Sequence, residues 1–396
     1  MRTHECPLLL PTSYFLLYSR LIFLIHVRGL MSQPPNKSAT PQPMRSVHTS
    51  NFPDLLRQLG ISLVISTYQA GKVIILRADG EYINTHFRIF SKPMGIAADK
   101  HKIAIGCASQ IWELNNVPAV ADKLKPAGHD ACYLPRQSHV TGDIDIHEME
   151  WGGANNSELW FVNTRFSCLC TLNKNYSFVP RWRPRFVTAL TPEDRCHLNG
   201  LAMVDRQPKY VTALGETDRL GGWRENKANG GILIDVESNE VVSRGLSMPH
   251  SPRWYGDRLW VLESGQGSLS ISDRDTGKLQ TVVQLPGFTR GIDFYGSLAF
   301  IGLSQVRETA VFSGIPLTQR LDERICGVWV VNLKTAQTVA FLKFEDAVQE
   351  IFAVKVLLNI RFPEIIDWED GQLIGSSYVL PDEALADVPL SRRSSS

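Results

Sequence analysis

The stretches Leu159-Trp-Phe-Val-Asn-Thr-Arg-Phe-Ser-Cys-Leu-Cys-Thr-Leu172 and Leu259-Trp-Val-Leu-Glu-Ser-Gly-Gln-Gly-Ser-Leu-Ser-Ile-Ser272 repeat one pattern: an apolar run, a polar turn, then a second run. Short apolar or alternating runs bounded by turn residues mark β-strands. Leu298-Ala-Phe-Ile301 and Val328-Trp-Val-Val331 are further runs of this kind, and no long stretch carries a helical period. The body of the chain is therefore read as all-β.

Outward from these blocks, a second kind of segment recurs. It is an anchor residue that opens a strand: Met94-Gly-Ile-Ala, His147-Glu-Met-Glu-Trp, His197-Leu-Asn-Gly-Leu, His250-Ser-Pro-Arg-Trp, Arg290-Gly-Ile-Asp-Phe and Glu350-Ile-Phe-Ala-Val. The anchors stand 53, 50, 53, 40 and 60 residues apart. A repeat of ~40–50 residues with about four strands each is a propeller signature. The block at Glu350 lacks a second half, whereas Leu63-Val-Ile-Ser-Thr-Tyr-Gln-Ala-Gly-Lys-Val-Ile-Ile-Leu76 is a second half without an anchor. The prediction is a six-bladed β-propeller closed by a composite blade, with a C-terminal inner strand and outer strands from residues 62–89. Such closure leaves no open sheet edge at the seam.

This ring makes a single domain over residues 51–380. Residues 1–50 are read as a disordered leader or an early start, and residues 381–396 as a flexible tail. The 41 Lys and Arg against 40 Asp and Glu give a net charge of +1, which excludes a generally basic nucleic-acid binder. Pro7, Pro11, Arg20 and Arg28 interrupt the apolar N-terminus, so no run reaches the ~20 residues of a membrane span. Asn36, Asn155 and Asn175 open Asn-x-Ser sequons, which matter only in a secreted chain. Seven cysteines without a CxxC pair predict free thiols in a reducing compartment, read as the cytoplasm. Secretion through the N-terminal segment is the alternative.

The innermost strand of each propeller blade lines a central channel. The anchors are therefore expected to ring one mouth. Three convergent imidazoles with an open position form a catalytic-type metal set, so His147, His197 and His250 are candidate ligands of a divalent metal. The competing reading gives each His a structural hydrogen bond to a neighbouring blade. The candidate catalytic residues are His197, Glu350 and Arg290. A His or Glu350 would move a proton, while Arg290 or a metal would polarise an oxygen.

Turns expected at the same mouth add a ligand-binding set. It comprises Asn163, Arg165, Arg195 and Asn199, then Glu216, Asp218, Trp223 and Arg224, then Ser251, Arg253, Glu263 and Gln266. Tyr68-Gln69, Asp194 and Arg307-Glu308 lie on turns of the same kind. Arginines here suit bidentate recognition of a carboxylate or phosphate. Salt bridging between blades is the structural alternative. No Walker-type phosphate loop and no GxSxG elbow occurs. Ser251 is a possible nucleophile, but Pro252 follows and no base is identified. Gly221-Gly222 and Gly230-Gly231 read as hinges of an inserted loop.

The segments His129-Asp-Ala-Cys-Tyr-Leu-Pro135, Asp194-Arg-Cys-His-Leu-Asn-Gly200, Tyr210-Val-Thr-Ala-Leu-Gly-Glu-Thr-Asp218, Gly221-Gly-Trp-Arg-Glu-Asn226, Met248-Pro-His-Ser-Pro-Arg-Trp254 and Pro286-Gly-Phe-Thr-Arg-Gly291 together resemble the signatures of a domain-of-unknown-function family found mostly in bacteria. The resemblance spans about Gly60 to Ile374 and implies six propeller blades. It implies no activity and transfers no catalytic residue. The family pattern would place an acidic residue at Ala353 and Pro-Gly near Leu358-Asn359, so this chain departs from it at the last inner strand.

Two functions are expected to compete. One is a pocket for a small polar or anionic ligand, with hydrolysis or lyase-type cleavage as its chemistry. The other is a non-catalytic scaffold that binds a protein partner through its loops.

Overall fold

The computed structural model describes residues 44–306, 314–367 and 371–386. Most of the expected leader, the end of the tail and the turn at Arg307-Glu308 lie outside these residues.

Six antiparallel sheets form the ring of a six-bladed propeller. In blade I the inner strand Ala353–Leu358 pairs with Ile61–Thr67, which is followed outward by Lys72–Asp79 and Tyr82–Ile89. The closure is therefore composite, as expected, with Ile61 opposite Leu358 and Ser66 opposite Ala353. Blade II runs outward from Ile96–Ala98 through Lys102–Gly106 and Gln110–Asn116 to Ala131–Val140. The inner strands of blades III to VI are Ile146–Gly152, Leu198–Val204, Pro249–Tyr255 and Phe288–Tyr295. Two blades gain a fifth strand. Ser46–His48 pairs with the outer strand of blade VI, and Pro363–Ile365 pairs in parallel with the outer strand of blade II.

Strand faces explain the continuous apolar runs. Successive side chains of a strand point to opposite faces. Each blade has a neighbour on both faces, so both sets must be apolar. Leu63 and Ile65 pack with Phe300 and Val328 of blade VI, while Val64 between them packs with Ile103 and Ile105 of blade II. The same division recurs at Phe161, which faces blade II, and Val162, which faces blade IV.

A short helix, Phe52–Leu59, precedes blade I. Its Phe52 and Leu56 enter the core between blades I and VI, and Gly60 at φ +67° ends it in the left-handed conformation. The six cysteines among the described residues are free and buried. Cys168 and Cys170 share one strand face, with their sulfurs 3.5 Å apart. No described helix is long and apolar enough to cross a membrane.

Candidate functional site

Five of the six anchors line one cavity of about 340 Å³ at the axial mouth: His147, His197, His250, Arg290 and Glu350. Met94 does not line it; it is buried among Ala97, Met149 and Phe352. Phe352 and Phe288 supply apolar wall, and Tyr68, Gln69, Trp223 and Arg224 complete the polar rim. The volume is at the lower end of the roughly 300–1,000 Å³ typical of small-molecule sites. Below it the inner strands close to a gap of about 10 Å³ beside Glu148, Asn199, Ser251 and Ala353. Two glycines permit that closure. A Cβ on Gly95 would lie 2.3 Å from the His147 carbonyl oxygen, and one on Gly291, at φ +76°, would lie 2.7 Å from the Val354 nitrogen. The mouth is thus a blind pocket.

The histidines are held alike. Nδ1 of His147 faces the carbonyl oxygen of Asp145 at 3.1 Å and Oγ1 of Thr164 at 2.8 Å. Thr164 donates its own proton to the Leu198 carbonyl of the next blade, so its oxygen accepts here. Both partners being acceptors, Nδ1 of His147 carries the proton. His250 repeats the device. Its Nδ1 stands 2.9 Å from the Met248 carbonyl oxygen and 2.9 Å from Oγ of Ser264, which itself donates to the Thr289 carbonyl. Nδ1 of His197 donates to the Asp194 carboxylate at 2.9 Å. In each ring Nε2 is left without a protein partner among the described residues.

Charge at the mouth is concentrated on few groups. Burial pushes the Asp145 carboxyl up, but His147, His197, Arg290 and Arg165 more than offset it and hold it below the usual carboxylate range. Burial presses His147 down to about 3, opposed by Asp145 and reinforced by His197 and Arg290. Burial, then Arg290, His147 and His197, hold His250 well below its ordinary value. Both imidazoles are neutral near pH 7. The Arg290 guanidinium lies 3.6 Å over the Phe352 ring. Burial lowers its value, while Glu350, Asp145 and Glu148 act the other way. No hydrogen bond or ion pair within 4 Å holds it among the described residues.

Trp223 is carried to the mouth by a short 3-10 turn, Gly222–Asn226, within blade IV. Its indole Nε1 donates to Asp194 at 2.9 Å, and its ring lies 4.5 Å from that of His197. Arg224 stacks over Trp223 at 4.4 Å and reaches Asp194 at 3.3 Å. Five of the fifteen non-glycine residues with positive φ among the described residues stand at or beneath the mouth: Asp145, Asp194, His197, Met248 and Ser251, all with φ between +46° and +55°. Non-glycine residues in this region cost on the order of 1–3 kcal/mol each and cluster at functional sites.

Other expected ligand-binding residues are elsewhere. Asn163 is buried and its Oδ1 accepts from the Phe166 amide, shaping a turn. Arg165 pairs with Asp143 at 2.7 Å. Arg195 pairs with Glu193 and Asp218, and Glu216 pairs with Arg244, as bridges outside the cavity. Glu263 accepts from the Ser247 amide, and Gln266 belongs to the turn that follows. Asn199 donates to the Pro249 carbonyl and Ser251 accepts from the Gly291 amide, both at the closure beneath the pocket. Arg253 belongs to the opposite mouth, paired with Glu148 and Glu150.

Sequence reasoning did not single out Asp145, Phe352, Thr164 or Ser264. The question of what orients each imidazole would have reached the first, two residues before His147. The metal reading meets an obstacle in the geometry. Among the described residues no group of three or more His, Cys, Asp or Glu is placed to hold an ion.

No curated protein matches the chain. Solved structures similar to it include a nidogen–laminin complex, at 9% identity and TM-score 0.48 over 76% of this chain and 99% of that one. A protein of unknown function from Bacteroides caccae matches at 8% identity and TM-score 0.47, over 75% and 98%. A catalytically inactive virginiamycin B lyase from Staphylococcus aureus with quinupristin matches at 11% identity and TM-score 0.39, over 76% and 99%. A family model for a domain of unknown function, DUF4915, matches residues 50–366, and with that match over most of its length the chain belongs to that family.

Proposed function

We propose that the axial mouth binds a small molecule through an anionic group and that His197 takes a proton from it or from an attacking water. The observation that carries this reading is the Arg290 guanidinium, which faces the cavity with no protein acceptor among the described residues. A largely enclosed cation without a partner is costly, and a carboxylate or phosphate supplies the missing acceptors in bidentate form. His197 has the arrangement of a positioned base. Asp194 holds its Nδ1–H, which leaves the Nε2 lone pair toward the cavity. In an elimination that proton comes from the ligand's own C–H and in a hydrolysis from the attacking water; in either case Arg290 stabilises the negative charge that develops on the ligand. Glu350 lines the same cavity as the second candidate for moving a proton.

A divalent metal at His147, His197 and His250 is the second reading. It is favoured by three Nδ1 atoms that are hydrogen-bonded while Nε2 is left open, as in metal-binding imidazoles. The Arg290 charge in the same cavity weighs against it.

The test is thermal unfolding of the full chain with acetate or phosphate at constant ionic strength, beside Arg290→Met. Anion-dependent stabilisation that disappears in the variant is expected. An equal response in both proteins would overturn the reading. Metal found by elemental analysis, and lost in a His147/His197/His250 triple-Ala variant, would favour the second reading.

A further inference from the structure

The tautomers assigned above say more about the ligand than its charge. His147 and His250 each place a proton on Nδ1, between two acceptors, and turn Nε2 toward the pocket as a lone pair. The Asp145 carboxylate lines the same wall. This wall accepts hydrogen bonds and donates none. An anion alone would satisfy Arg290 and leave the wall facing lone pairs. Resting on the anion reading of the mouth, we infer that the ligand is a hydroxylated carboxylate, its carboxylate at Arg290 and its hydroxyl groups donating to Nε2 of His147 and His250.

The donors are hydroxyl rather than ammonium groups for an electrostatic reason. Asp145 already faces the guanidinium charges of Arg290 and Arg165, which offset its own. The two imidazoles share the cavity with the Arg290 guanidinium, whose charge opposes a further cation beside them. A hydroxyl brings a proton to each Nε2 without a net charge. Thr164 and Ser264 fix this polarity from behind, because each spends its own proton on a neighbouring blade.

The experiment uses three-carbon molecules of similar size on the full chain: propionate, lactate, glycerate, alanine and glycerol, compared by ligand-observed NMR titration. Affinity is expected to rise from propionate through lactate to glycerate, by about tenfold or more overall, since each added hydroxyl gains a hydrogen bond. Glycerol, without the carboxylate, should bind far more weakly than glycerate. Propionate binding as tightly as glycerate would overturn this inference and leave the anion reading standing. No binding by any carboxylate would overturn both. Alanine binding more tightly than glycerate would reassign the wall to an ammonium group and overturn the hydroxyl assignment. A long-range 1H–15N spectrum of the wild-type protein gives an independent check, with His147 and His250 identified from their Gln variants. Both should be Nδ1–H tautomers with unprotonated Nε2 at neutral pH; a proton on Nε2 of both would overturn the inference.

Discussion

Nδ1 of His197 stands 2.9 Å from Oδ1 of Asp194, and both residues hold left-handed backbone conformations. The other oxygen of that carboxylate serves Trp223 and Arg224. One carboxylate thus sets the ring orientation of the candidate base and the position of the aromatic wall beside it. Asp194→Ala is expected to strand the His197 and Trp223 donors and to cost about 1–3 kcal/mol in urea unfolding. Trp223, loosened, should change its fluorescence. Asp194→Asn keeps one acceptor and should lose less. Equal stability of wild type and Asp194→Ala would show that the carboxylate does not organise the mouth.

The blades are tied near the axis by side-chain hydroxyls at the ends of their second strands. Ser66 donates to the Met94 carbonyl of blade II and accepts from the Ala353 amide. Ser304 donates to the Ile351 carbonyl and accepts from the Ile351 amide, both at 3.0 Å. Ser66→Ala leaves buried backbone groups unpaired at the seam, with an expected loss of about 1–3 kcal/mol. Hydrogen exchange should speed up along Ala353–Leu358 more than along the inner strand of blade IV. A uniform change across all blades would argue that the seam is no weaker than the rest.

Acid should weaken the fold through its buried imidazoles. His147 titrates at about 3 in the folded chain, against roughly 6.5 when unfolded. Between these values the unfolded chain binds a proton that the native chain does not, so stability falls as pH falls. His250 and His129 are lowered in the same direction, chiefly by burial. Glu364 adds a later loss. Burial raises its value, but His86, Arg88 and Arg77 outweigh burial, so its stabilisation disappears as pH falls below the ordinary Glu range. The urea midpoint is expected to decline below about pH 6.5. His147→Gln should flatten that decline, since His147 alone accounts for on the order of a few kcal/mol. An unchanged slope in the variant would show that His147 is already protonated or exposed.

The fold was legible because blade packing is written locally. Two apolar faces give continuous runs such as Leu159-Trp-Phe-Val162, and the orphan block at Leu63 identified the seam. The mouth was legible for a similar reason: anchors near the starts of the inner strands reach the same end of the axis. Height along the axis was the harder quantity. Arg253 follows His250 by only three residues, but at ~3.3 Å per residue an extended strand carries it roughly 10 Å down the channel. The turn residues Asn163 and Glu263 stand outside the cavity for another reason. They flank Thr164 and Ser264, whose hydroxyls point to the next blade, and this part of the turn holds backbone instead of facing the cavity. The lone-pair directions of His147 and His250 depend on those distant hydroxyls, and a single strand does not encode them.

At the far mouth, buried charges from several blades are matched across the axis. Arg253 of blade V pairs with Glu148 and Glu150 of blade III, and Lys355 of blade I pairs with Glu150. Asp293 of blade VI accepts from the Val356 amide at 2.8 Å, and burial raises its value. Removing one partner from such a set leaves the other charge enclosed, whereas removing both removes the penalty as well. Arg253→Met is therefore expected to cost about 3–5 kcal/mol. Adding Glu148→Gln to that variant should recover a large part of the loss, because the buried anion is gone. A double-mutant cycle in urea checks this. Strictly additive losses would mean that the pair is not coupled and that the far mouth is held by its apolar walls, Trp151 and Trp254 among them.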